Sequence, residues 1–180
     1  MIVLAVIGSK NSGKTATMEA IIRGLIRRGY KVAAVKHIPE KDFTVDEKGK
    51  DTWRFAASGA KTIVGIAPKE IFIIEKGDVY ASSLEKILEV CRGNDIVLVE
   101  GFRDILGKNE KIPKIVAVKS TEEALEALKN FKPIIAFTGP HSLESLGLKV
   151  PYVDVLRDED RIAEIVSETV KRLKGYGGAS

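Results

Sequence analysis

Residues Gly8-Ser9-Lys10-Asn11-Ser12-Gly13-Lys14-Thr15 spell GxxxxGK[ST], and their setting decides the fold. The apolar run Ile2-Val3-Leu4-Ala5-Val6-Ile7 precedes them directly, and a segment of helical periodicity beginning near Ala16 follows. Strand, glycine-rich loop and helix in that order form a phosphate cradle. Glycines let main-chain N–H groups converge, the helix supplies its positive N-terminal end, Lys14 can reach β and γ phosphates, and the Thr15 hydroxyl can ligate Mg²⁺.

Working outward, Met18, Ile21, Ile22, Leu25 and Ile26 keep the i, i+3, i+4 spacing of one helical face, closed by Arg27-Arg28-Gly29. Residues 31–36 then read as a buried strand, which completes a β-α-β unit and calls for a parallel sheet. Residues 37–50 are polar and aperiodic, a long loop expected beside the phosphate site. Asp51 is placed to cap a short helix to about Ser58, with Trp53, Phe55 and Ala56 available to dock it. Two strands at 61–67 and 71–75, joined by a turn with Pro68, should be antiparallel. Capping-box spacing at Ser82/Glu85 and Ser120/Glu123 predicts two further helices. Strands follow at 95–100, 113–118 and 133–137, with a last helix from Glu159 to about Leu173. The expected fold is α/β, a three-layer P-loop NTPase with a mostly parallel sheet and one antiparallel strand pair. It should form a single domain over 1–174, with a fraying tail at 175–180.

Composition narrows the functional classes. The 180 residues are 44% hydrophobic, and mean hydropathy is zero, enough for one core. No run approaches the roughly 18 apolar residues of a membrane span, and the N-terminus enters a strand rather than a leader, so a cytoplasmic protein is expected. The net charge is +4, but 29 basic and 25 acidic residues are mixed along the chain without a basic stripe, which argues against nucleic acid as a partner. One cysteine, Cys91, sits at helical spacing from Leu84, Ile87 and Leu88 and reads as a small core residue. Two histidines and one cysteine cannot build an ordinary zinc centre, and no GxSxG elbow is present.

A phosphate loop needs a carboxylate for Mg²⁺ at the C-terminal end of a neighbouring parallel strand. In Asp95-Ile96-Val97-Leu98-Val99-Glu100-Gly101, the two acids stand about 16 Å apart at ~3.3 Å per residue, so only one can face the phosphates. Glu100 is the choice, and Gly101 beside it suits a chain turning closely past a ligand. Lys36 and His37 end the second strand at the same sheet edge, and Arg54 and Arg103 are cations suited to a phosphate-rich ligand. The spacing specifies a nucleoside triphosphate without selecting its base, because no NKxD string occurs.

Taken together, the loop ending Lys10-Asn11-Ser12-Gly13-Lys14-Thr15, Val35-Lys36-His37, Gly49-Lys50-Asp51-Thr52-Trp53-Arg54, Ala57-Ser58-Gly59-Ala60 and Leu98-Val99-Glu100-Gly101-Phe102 resemble the MobB family. Its members are molybdopterin-guanine dinucleotide biosynthesis adaptor proteins. The resemblance implies a homodimeric GTP-binding protein with feeble GTPase activity that assists a MobA-type guanylyltransferase. It also implies that Gly8 to Ala16 hold the GTP phosphates, Thr15 and Glu100 organise Mg²⁺, and Lys36, His37, Asp51 and Arg54 line the pocket. The alternative from the enzyme class is a small-molecule kinase transferring the γ-phosphoryl group of ATP, with Arg54 and Arg103 as its spare arginines.

Overall fold

The computed structural model describes residues 1–77, 84–140 and 149–176. Its chain order is β1 (Ile2–Gly8), α1 (Lys14–Arg27), β2 (Val32–Lys36), α2 (Asp51–Ala57), β3 (Thr62–Ala67), β4 (Glu70–Glu75), α3 (Leu84–Val90), β5 (Ile96–Glu100), α4 (Arg103–Leu106), β6 (Lys114–Ala117), α5 (Thr121–Asn130), β7 (Ile134–Thr138), β8 (Tyr152–Val153) and α6 (Glu159–Tyr176). The residues cluster into two compact units, Met1–His37 with Cys91–Ser180 and Ile38–Val90, a finer division than the single body expected over 1–174.

The first unit is built on a six-stranded sheet ordered β2-β5-β1-β6-β7-β8, with every neighbouring pair parallel. Strands buried on both faces read as continuous apolar runs, as β1 and β5 do. By the two-residue period of a strand, Leu4, Val6, Ile96, Leu98 and Ile115 share one core with Met18, Ile21 and Leu25 of α1 and Ile162, Val166 and Val170 of α6. The alternate residues Ala5, Ile7, Val97, Val99 and Val116 are buried too, as are Leu106, Ala124, Ala127 and Phe131 from the helices after β5 and β6. These are the three layers of a P-loop NTPase fold.

Helix α1 shows how the local pattern and the packing differ. Met18, Ile21 and Leu25 are buried as expected, but Ile26 is 58% exposed, and the buried face is completed by Thr17, Ala20 and Gly24. Helices α1 and α6 approach so closely that a Cβ on Gly24 would lie 2.2 Å from the Ala163 Cβ. On the exposed side, Arg23 and Arg27 bind Glu159 at 2.8 and 2.9 Å, and Arg27 reaches Asp160 at 2.9 Å. These bonds hold both carboxyl groups below their ordinary range.

In the second unit β3 and β4 are antiparallel and form a two-stranded sheet of their own, separate from the parallel one. Residues 37–50 hold no helix or strand. Asp51 is the first residue of α2 rather than its cap. The cap position falls to Lys50, whose backbone is extended, and the Asp51 carboxylate pairs along the helix with Arg54 at 3.2 Å. Trp53 and Ala56 are half-buried while Phe55 is exposed. Ser82 lies outside the described residues. Cys91 is buried, but in a turn just beyond the end of α3, and burial pushes its thiol up. Two elements had no expectation, α4 and β8, each too short to display a period. Gly175 and Tyr176, expected in the tail, are the last residues of α6.

The Gly24 contact gives a test. Gly24→Ala should lower stability by about 1–3 kcal/mol from overpacking, against a gain of about 1 kcal/mol in helix propensity. Ala163→Gly in the same chain should recover part of the loss in urea denaturation.

Candidate functional site

The phosphate loop is suspended between β1 and α1, and its first residue is locked by the sheet. Gly8 pairs in register with Ala117 of β6. A Cβ there would stand 2.2 Å from the Ala117 carbonyl oxygen and 2.6 Å from the Ser12 Oγ, so the loop can leave the strand only at a residue without a side chain. Inside the loop the fully buried Ser12 donates from Oγ to the Ser9 carbonyl at 2.9 Å, and Lys14 donates from Nζ to that same carbonyl at 2.6 Å. Asn11 takes a positive φ of 60° at the exposed turn, and Gly13 caps α1 at φ 90°. The first turn of α1 carries Lys14, Thr15 and Ala16 and no acidic side chain, so its N-terminal positive end is not offset by its own residues. Lys10 and Thr15 are exposed, and Ala16 packs against the core.

Across the C-terminal edge of the sheet the second strand pair delivers the carboxylate. Val6, Glu100 and Lys36 stand side by side in register on β1, β5 and β2. The Glu100 side chain is only 11% exposed, and its Oε1 lies 3.6 Å from the Lys36 Nζ. Burial holds the Lys14 ammonium below its ordinary pKa of 10.5, while the charge of Glu100 is the leading influence in the other direction. Glu100 and Lys14 therefore act on each other electrostatically at this edge of the sheet. Asp95 is at the far end of β5, where it accepts from the Lys31 N–H at 3.0 Å and the Lys174 Nζ at 3.2 Å, a purely structural role.

Magnesium usually takes one or two carboxylates with phosphate oxygens and several waters. One hydroxyl at Thr15 and one shielded carboxylate at Glu100 fit that requirement.

His37 follows directly. Its N–H donates to the Glu100 carbonyl at 2.9 Å, and its ring stacks on Phe102 with centroids 4.3 Å apart. Gly101, expected at a ligand's approach, is required by this contact. It has φ 94°, and a Cβ there would be 2.9 Å from the His37 Cβ. Arg103 turns to the face carrying α5, where it reaches Glu126 at 3.4 Å and sits over the Phe131 ring at 5.2 Å. Asp51 and Arg54 belong to the second unit, where they pair with each other.

Three features of the site escape sequence reasoning. Thr17 Oγ1 and Thr138 Oγ1 are 2.8 Å apart in the buried floor under α1. Tyr152 of the unforeseen β8 donates to the Gly139 carbonyl at 2.5 Å. Glu123, expected to complete a capping box, instead accepts from the Ser9 Oγ at 2.9 Å and the Lys119 N–H at 2.8 Å. The Ser120/Glu123 spacing was its one visible signal.

A glycine-rich loop closing onto a helix N-terminus, with a lysine inside it and a shielded carboxylate on the adjacent parallel strand, defines a P-loop protein. Residues 3–139 match the family described as MobB: Molybdopterin guanine dinucleotide synthesis protein B, and the chain belongs to that family. Three relatives bear similar names. A candidate molybdopterin-guanine dinucleotide biosynthesis adapter protein of Methanocaldococcus jannaschii is 40% identical over 68% of this chain and 49% of its own length. The Haemophilus influenzae adapter protein is 35% identical over 63% and 61%. The chain thus spans about half to three fifths of those two relatives. Among solved structures, a MobB homolog from Bacillus stearothermophilus superposes with a TM-score of 0.69 at 25% identity, covering 96% of this chain and 99% of that one. Bacillus subtilis MobB gives 0.69 at 26% identity, over 92% and 98%.

Gly101→Ala should cost about 1–2 kcal/mol for a side chain held at positive φ, and it should also dislodge the His37 ring. Chemical denaturation and the His37 imidazole resonances would report both effects.

Proposed function

We propose that the chain binds GTP with Mg²⁺ in the cytoplasm and acts as an adaptor in molybdopterin guanine dinucleotide biosynthesis, assisting a MobA-type guanylyltransferase, with at most slow GTP hydrolysis of its own. The observation that carries this reading is the sharing of one edge by Lys14 at the head of α1 and the shielded Glu100 on β5. Family membership supplies the pathway. Magnesium, when bound, would screen the β and γ phosphates. The chain's own part is to cradle those phosphates on loop amides, neutralise them with Lys14, and keep water off Glu100 by burial.

Second copies of the chain are the natural cover for the second unit. Val64, Ile66, Ile71 and Ile73 fall on one face of the β3–β4 pair by its register, and each is at least 53% exposed. An isolated two-stranded sheet is marginal in water, so pairing with its equivalent in a homodimer is the expected arrangement. Among the described residues no helix is long and apolar enough to cross a membrane. The kinase alternative is weakened by Arg103, whose guanidinium is already engaged by Glu126 and Phe131.

Calorimetric titration with GTP, ATP and GDP, with and without Mg²⁺, tests the reading. Tight Mg²⁺-dependent GTP binding is expected, and phosphorylation of an acceptor from Mg-ATP would replace this function with the kinase one. Lys14→Ala should weaken GTP by about 10–100-fold, the value of a charged hydrogen bond, while Glu100→Gln should reduce affinity in Mg²⁺ far more than without it. Because the Lys14 pKa is lowered, its proton leaves at a pH below 10.5, so GTP affinity should fall with rising pH before that value is reached. Lys14→Arg would remove that alkaline limb if it binds at all. Light scattering should give a dimer that Ile66→Asp with Ile73→Asp converts to monomer.

A further inference from the structure

We infer that Glu123 is a positioning residue for the phosphate loop, acting through Ser9; its consequence for binding rests on the nucleotide reading above. Ser9 is the pivot of the loop, since its carbonyl accepts both from the Lys14 Nζ at 2.6 Å and from the Ser12 Oγ at 2.9 Å. The Ser9 carbonyl thus gathers the ammonium group and the buried hydroxyl at one point. The side chain of Ser9 is tied to Glu123 Oε1 at 2.9 Å, across 114 residues of sequence.

Glu123 is itself held before it touches the loop. Its Oε2 accepts from the Lys119 N–H at 2.8 Å, its own N–H donates to the Ser120 Oγ at 3.3 Å, and the Lys119 Nζ stands 3.8 Å from Oε1. The frame closes on itself. Gly8 is fixed in register to Ala117 at the end of β6, the chain continues to Lys119, and Glu123 returns from α5 to Ser9, the residue after Gly8. The loop is fixed at its start by Gly8 and at its end where Gly13 caps α1, and the bond to Glu123 adds a hold at Ser9 between them.

A cleft of about 80 Å³ adjoins this bond, lined among others by Gly8, Ser9, Arg103, Glu123, Glu126 and Phe131. Apolar packing does not fill the space next to Ser9, so the hydrogen bond to Glu123 is a specific hold there. For Lys14 to engage a phosphate its Nζ must leave the Ser9 carbonyl, and a Ser9 anchored through its side chain keeps its place when that bond is given up.

The test compares wild type, Ser9→Ala, Glu123→Ala, the double variant and Glu123→Gln in two readouts: amide hydrogen exchange over residues 9–14 in the ligand-free protein, and Kd for Mg-GTP. Both alanine variants should speed exchange, each should weaken Mg-GTP by about 3–10-fold, and the double variant should be no weaker than the worse single one. Glu123→Gln, still able to accept from Lys119 and to bond Ser9, should lie nearer wild type. Additive losses, unchanged exchange and Kd in Glu123→Ala, or a lowered melting temperature with unchanged Kd would each overturn the inference. So would equal losses for Gln and Ala. Wild type that fails to bind Mg-GTP would overturn the nucleotide reading instead, and the exchange pattern alone would then decide whether Glu123 anchors the loop. Ser9→Ala keeps the test open if Glu123→Ala does not fold.

Discussion

The contact between Gly8 and the Ala117 carbonyl is the constraint on which the rest of the site depends. Strand β1 is central in the parallel sheet, paired with β5 as far as Val6 and with β6 to its end, so its last residue, Gly8, is held in register by Ala117. The loop inherits that fixed origin. Helix α1 supplies the other end, and its own position is set by close packing on α6 through Gly24 and Ala163. Between two rigid ends a short loop has few conformations, the preorganisation that the proposed phosphate binding requires.

Electrostatics adds the second layer. The edge gathers two lysines, Lys14 and Lys36, and one strongly shielded carboxylate, Glu100. Burial alone would favour a neutral Lys14, and the nearby carboxylate opposes that tendency. A positive loop and one carboxylate suit a polyanion accompanied by a divalent cation better than either alone.

The second unit follows a different logic. Its β3–β4 face exposes aliphatic side chains that a solitary domain would bury, while Phe72 covers Gly65 on the opposite face, where a Cβ would meet the ring at 2.1 Å. An exposed aliphatic face of this kind is the feature on which the proposed homodimer rests.

The glycine-rich loop, the longer strands and helices around it, and the placing of Glu100 and Asp95 at opposite ends of one strand are legible in the amino-acid sequence, because each rests on a short-range period or on distance along one strand. The pattern misassigned Ile26 and the Asp51 cap, where a neighbour or a helix end decides the outcome, while Cys91 is buried as expected, one residue beyond α3. Only the tertiary structure joined Ser9 to Glu123, Thr17 to Thr138 and His37 to Phe102. The first two pairs lie 114 and 121 residues apart, and no local pattern encodes a hydrogen bond whose partners meet only after the sheet has ordered its strands.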